Sequence, residues 1–268
     1  MGLIIDPYRV SPWTPAAVAP YFWFISDHTS NTYSSNDYVT MHDVSGNGRT
    51  ATAIGGTKPT KQPADIGGRQ TVLQDANGEG FQISNATGVA QNKTGGTLIA
   101  VYGVTPVSAL QRYLLFAETN SATFTRMALL SGDGVSDGTP RIQARRDEAG
   151  TLGVLSAAAA FLTPTITVGI VDYANSDAYI RVNGALSNST TSFLTNGNSP
   201  NTPSANAPWI GRTNGGGTET HRGTYGELLW FDSVLSTENV ERIEGYLAWQ
   251  WGLVSNLPGG HPYKNNPP

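Results

Sequence analysis

Cysteine is absent from this 268-residue chain. That excludes a disulfide scaffold, a thiol nucleophile and thiolate metal sites. Charge is scarce too: Asp, Glu, Lys and Arg make up 13% of the residues, about half the share in a typical globular domain. The net charge is −4, and Lys and Arg cluster nowhere beyond Arg145-Arg146. Neither nucleic acid nor an anionic membrane surface is therefore expected as a partner. No apolar run nears the ~20 residues of a membrane span. The opening MGLIIDPYRVSPWTPAAVAP is interrupted by Asp6, Pro7 and Arg9. It lacks the basic stretch and continuous apolar core of a signal peptide, so synthesis in a cytoplasm is expected.

Small polar residues and turn formers are abundant. There are 31 Gly and 16 Pro, with 11 Tyr, 8 Phe and 6 Trp to build a core. This mixture suits short strands joined by many turns. Strand candidates recur at residues 21–25, 97–102, 112–116, 126–130, 165–171, 178–182, 209–212 and 226–231. The run Ala178-Tyr179-Ile180-Arg181-Val182 alternates and ends in Asn183-Gly184, a hairpin signal. A single helix is predicted at about 236–251. Ser236 caps it, and Val240, Ile243, Leu247 and Trp251 fall near one face. Residues 185–208 read as a long loop, or a loop around one weak strand.

The expected organisation is an extended arm at 1–20, a sandwich with its helix at 21–254, and an extended tail at 255–268. The arm holds prolines at 7, 12, 15 and 20 beside Leu3, Ile4, Ile5, Tyr8 and Trp13. Such apolar side chains need a surface to cover them, either their own domain or a neighbouring subunit.

Catalytic patterns are few. Retaining glycosidases need two carboxyls about 5 Å apart, and no alternation of Glu and Asp along one strand supplies such a pair. The four histidines, 28, 42, 221 and 261, stand apart in sequence. No catalytic residues are assigned and no enzyme is expected. Oxygen-rich turns at 75–79 and 133–138 could offer Asp75, Asp133 and Asp137 to Ca²⁺. Neither has EF-hand spacing, and the turn reading is preferred, with no cofactor expected. Tyr33, Tyr38, Tyr173, Trp209 and Tyr225 could stack on sugar rings, and Tyr173, Trp209 and Tyr225 are the glycan-contact candidates, although an aromatic in a strand more often serves the core.

Three segments resemble the laminin-G-like, concanavalin A-type jelly roll, in the form common in bacteriophage structural proteins. The first is Tyr21-Phe22-Trp23-Phe24-Ile25-Ser26-Asp27. The second is the turn Asp43-Val44-Ser45-Gly46-Asn47-Gly48, where Met41-His42 stand in place of the family's usual Trp. The third runs from Gly226-Glu227-Leu228-Leu229-Trp230-Phe231-Asp232 through the helix to Leu257-Pro258-Gly259-Gly260-His261-Pro262-Tyr263. The resemblance implies an all-β, concanavalin A-like jelly-roll sandwich of two antiparallel sheets with one C-terminal helix. The family's usual calcium ligands find no residue-by-residue counterparts. The function it implies is a non-enzymatic virion structural protein on the particle exterior, a capsid decoration or tail-associated subunit. Its partners would be other virion proteins and further copies of itself. The alternative is a carbohydrate-binding module that recognises a cell-surface polysaccharide.

Overall fold

The computed structural model describes residues 13–86, 88–105, 112–119, 125–132, 137–147, 150–200, 207–212 and 220–268. For 112–119, 125 and 137 it describes the backbone alone. The strands in the first half are β1 (Phe22–Ile25), β2 (Thr32–Ser34), β3 (Asp37–His42), β4 (Thr50–Ile54), β5 (Thr60–Gln62), β6 (Thr71–Gln74), β7 (Gly80–Ile83) and β8 (Gly95–Val104). There follow β9 (Arg112–Thr119), β10 (Thr125–Gly132), β11 (Asp137–Arg145), β12 (Leu152–Ser156), β13 (Thr165–Asp172), β14 (Asp177–Val182), β15 (Ala185–Thr190), β16 (Trp209–Ile210) and β17 (Gly223–Phe231). The helix α1 spans Thr237–Gln250.

All pairings are antiparallel and they sort into two sheets. The helix-side sheet runs β15–β14–β13–β8–β17. The far edge of β17 is shared, with β1 against Glu227–Trp230 and β6 against Gly223–Tyr225. β5 lies beyond β6. The open-side sheet runs β2–β3–β4–β7–β16–β9–β10–β11–β12. Two pairs link the sheets, Asp37 with Thr60 and Phe24 with Asp43. The fold is the all-β sandwich of two antiparallel sheets with a C-terminal helix that the resemblance implied.

The interior separates into two large clusters, with a small third one of Ala128 and Leu130 on β10. Between the sheets lie Phe22, Phe24, Leu98, Ala100, Tyr102, Leu228 and Trp230 from one side, and Tyr38, Met41, Phe81, Ile83, Leu129 and Ile142 from the other. Behind the helix-side sheet, Ile99, Val101, Ile166, Val168 and Leu229 meet Val240, Ile243, Leu247 and Trp251 of the helix end. Strands β8 and β13 are thus covered on both faces, which explains their nearly unbroken apolar runs. Strands β4 and β12 have one open face and alternate.

Local chemistry closes the elements as the sequence predicts. Asn183 and Gly184 take φ of 50° and 82° between paired Val182 and Ala185, the double positive φ of a type I′ turn. Ser236 accepts the Asn239 N–H at 3.3 Å and caps the helix. The Asp43 turn is a staple: its carboxylate accepts the Trp23 N–H at 2.9 Å and the Ser45 N–H at 3.0 Å. Asn47 Nδ2 donates to the carbonyls of Pro20 and Tyr21. Residues 185–190, read as loop or weak strand, form β15.

Of the arm residues, Leu3, Ile4, Ile5 and Tyr8 lie outside the described residues. Trp13 is described, and it packs on its own domain. Its ring meets Tyr246 edge-on at 6.4 Å, and the Arg242 guanidinium lies 5.7 Å from it. The tail also packs back: Leu257 and His261 are buried, and Lys264 Nζ donates to three carbonyls, those of Val254, Ser255 and Leu257. Trp249, half-buried on the helix, donates its indole N–H to Tyr263 O at 2.9 Å.

Candidate functional site

Two of the three glycan-contact candidates are interior. Tyr173 is 1% exposed; its hydroxyl donates to Arg126 O at 3.0 Å and its carbonyl accepts the Gly197 N–H. Tyr225 is fully buried between the sheets. Neither can stack on a sugar. The reason for Tyr225 is a bulge: register shifts between Tyr225, opposite Tyr102, and Glu227, opposite Val101. The slip turns Tyr225 towards the inter-sheet core along with Leu228 and Trp230, and sends Glu227, Leu229 and Phe231 to the helix side. Tyr38 is also buried, bonding Ser26 O at 2.9 Å. Tyr33 is half-buried with Lys61 Nζ 4.7 Å from its ring.

Trp209 remains. Its neighbour Ile210 enters the inter-sheet core, so Trp209 points from the opposite, outer face of the open-side sheet. Cross-strand partners set a row on that face. Thr32 pairs with Thr40, Thr40 with Thr52, Thr52 with Gln82, and Gln82 with Trp209. Beyond Trp209 the register continues through the backbone of Ala117 to Ala128 and Gln143, which are buried, and to the exposed Val154, so the open line of side chains stops at Trp209. One half-buried indole therefore stands at the end of a line of threonine hydroxyls and a carboxamide. The Thr32 and Thr40 hydroxyls are 2.7 Å apart. The guanidinium of Arg212 lies 5.3 Å from the Trp209 ring centroid and also donates to Gly78 O. Burial holds the Arg212 pKa below its ordinary value. An indole edge, a cation and hydroxyl-bearing neighbours together offer apolar contact and hydrogen bonds to a polyhydroxylated ligand.

Other polar clusters face inward. Ser131 Oγ and His221 Nδ1 are 2.9 Å apart, but both residues are fully buried, so substrate does not reach this serine–histidine contact. Glu227 is fully buried, accepting the indole N–H groups of Trp23 at 2.6 Å and Trp251 at 2.8 Å. Glu79, also buried, closes the 75–79 turn by accepting the N–H groups of Asp75 and Ala76. That leaves Asp75 as an exposed turn residue. Asp133 and the side chain of Asp137 lie outside the described residues. Among the described residues no group of three His, Asp or Glu could hold a metal ion.

No protein-family model matches the chain, and no curated protein does. Solved structures match its fold. The CBM40 domain of Ruminococcus gnavus IT-sialidase, bound to α2,3-sialyllactose, aligns over 63% of this chain and 92% of its own, with TM-score 0.50 and 16% identity. Domain 4 of AbnA, a GH43 extracellular arabinanase from Geobacillus stearothermophilus, in complex with arabinotriose, aligns over 74% of this chain and 89% of its own, with TM-score 0.50 and 15% identity. The ligand-binding domain of botulinum neurotoxin serotype D, in complex with N-acetylneuraminic acid, covers 90% of this chain and 53% of its own, with TM-score 0.55 and 11% identity. At these identities the likeness is one of fold. None of the three is a virion protein, so the expectation of a capsid or tail subunit keeps only its support from sequence resemblance.

Proposed function

We propose that this protein is a non-catalytic glycan-binding domain that engages sugars on the outer face of its open-side sheet. The observation that carries the reading is Trp209, which stands half-exposed at the end of the Thr32–Thr40–Thr52–Gln82 row with Arg212 beside it. Sandwiches of the same fold bind sialyllactose, arabinotriose and N-acetylneuraminic acid, which favours this reading over a purely structural virion subunit. The resemblance to phage proteins bears on location: on a virion exterior, such a face would meet host polysaccharide. The test is a glycan array followed by calorimetry. Trp209→Ala should weaken the leading glycan at least about tenfold, roughly 1.4 kcal/mol, with the melting temperature little changed because Trp209 is not a core residue. A silent array, or unaltered affinity in the variant, would overturn the proposal. No turnover of the bound glycan is expected, since the Ser131–His221 contact is sealed from solvent.

A further inference from the structure

A cleft of about 430 Å³ opens elsewhere, lined by Asn92, Arg146, Asp147, Gly197, Asn198 and Ser199 among others. Pockets for small ligands span about 300–1,000 Å³. Its walls are braced by backbone bonds. Asn92 N–H donates to Pro200 O at 2.9 Å, Ser199 N–H to Lys93 O at 2.8 Å, and Lys93 N–H to Ser199 Oγ at 2.6 Å. Beneath them the Gly197 N–H is tied to the buried Tyr173 carbonyl at 2.9 Å.

Arg146 in this cleft differs from Arg69 and Arg181. Those two form forked bonds to Asp27 and Glu244. Arg146 donates only to Thr195 Oγ1 at 3.1 Å, makes no ion pair among the described residues, and has a buried Nε with no acceptor among them. The Nε–Nη2 edge of its guanidinium packs against Gly197, where an added Cβ would be 2.4 Å from Nε and 2.6 Å from Nη2. With φ of +149°, position 197 suits only glycine, so backbone and guanidinium fit together. Beside it Asn198 Nδ2 donates to Asn92 Oδ1 at 2.8 Å. That bond leaves Asn92 Nδ2 and Asn198 Oδ1 for a ligand.

We propose that this cleft binds the carboxylate of a sugar acid, with Arg146 taking the carboxylate and Asn92 and Asn198 the hydroxyl groups. A planar guanidinium matches a carboxylate in a two-bond fork. Asp147 on the rim adds a negative charge that accepts hydroxyl donors and repels a dianion, which tells against phosphate. The sugar portion of this inference rests on the glycan-binding reading; the carboxylate portion rests on Arg146 alone.

The experiment titrates the full chain with glucuronate, N-acetylneuraminate, glucose and inorganic phosphate, followed by calorimetry and by the side-chain amide NMR signals of asparagine. Both acids should bind and shift the Asn92 and Asn198 signals, with glucose at least tenfold weaker and phosphate silent. Arg146→Gln should lose about 10- to 100-fold towards the acids. Asp147→Asn should admit phosphate. If Arg146→Gln does not fold, Asn198→Ala should still weaken both acids. Glucose binding as tightly as glucuronate, phosphate binding the unaltered chain, or unchanged affinity in Arg146→Gln or Asn198→Ala would each overturn the inference. Trp209→Ala separates the two readings. If it abolishes binding of the acids, they sit on the sheet face and the cleft proposal falls alone. If acids bind the cleft while the array is silent, the sheet-face reading falls alone.

Discussion

Two indoles share one carboxylate where the helix meets its sheet. Trp23 from β1 and Trp251 from the end of the helix donate to the two oxygens of Glu227, and Arg69 lies 4.1 Å from the Trp251 ring. Burial pushes the Glu227 carboxyl from an ordinary 4.5 up to about 7, against the opposing pull of the indole donors and Arg69. Between those values the folded protein holds a proton that the unfolded chain releases. This group's contribution is therefore full below about pH 4.5, declines as pH rises, and is lost above about 7. The decline is of order 3 kcal/mol by linkage. Glu79, raised by burial as well, acts with the same sign. Glu227→Gln replaces one acceptor by an NH₂ facing an indole N–H, a mismatch of about 1–3 kcal/mol. The variant should lose most stability at pH 5 and less at pH 8, where the native chain bears the cost of a buried charge. Denaturant midpoints across pH 4–8 measure this; parallel curves for the two proteins would refute the assignment.

The helix is the element most legible from sequence, because its signals are local. Ser236 precedes it, and Val240, Ile243 and Leu247 recur at helical spacing and are buried. Leu247→Ala should cost roughly 2–5 kcal/mol and Ser236→Ala about 1 kcal/mol, read as shifts in a urea midpoint. A loss below about 0.5 kcal/mol at Leu247 would contradict its zero exposure. The Asn183-Gly184 hairpin was legible for the same reason. What escaped was set by partners far along the chain. At the bulge, Gly226 leaves room for Trp251: an added Cβ would lie 2.5 Å from its ring. No pattern within β17 records that contact, so Tyr225 reads as an outward aromatic. Trp209 sits in a two-residue strand amid Ser, Thr, Asn and Pro, and only its pairing with Gln82 shows which face it takes. In the Arg146 cleft, Asn92 and Asn198 are 106 residues apart in sequence. The arm was open between two hosts, and Trp13 chooses its own helix.

At the scale of the whole molecule, the layers run open-side sheet, helix-side sheet, helix. Strands β8, β13 and β17 form the middle layer, buried on both faces. Their amides should exchange with deuterium slowest, and those of β2 and β5, three-residue strands with no buried residue, fastest. Fast exchange in β13 would mean that the helix does not cover it. The open-side sheet has a different property. Along β4, β7 and β16, Ala51, Ala53, Phe81, Ile83 and Ile210 point into the core, while Thr52, Gln82 and Trp209 point out. The two sets alternate and do not touch through the sheet. Selection can therefore rewrite the outward set without renegotiating the interior. A combinatorial library randomised at 32, 40, 52, 82 and 209 should yield folded variants with new ligand preferences, making this disulfide-free sandwich a scaffold for recombinant affinity reagents.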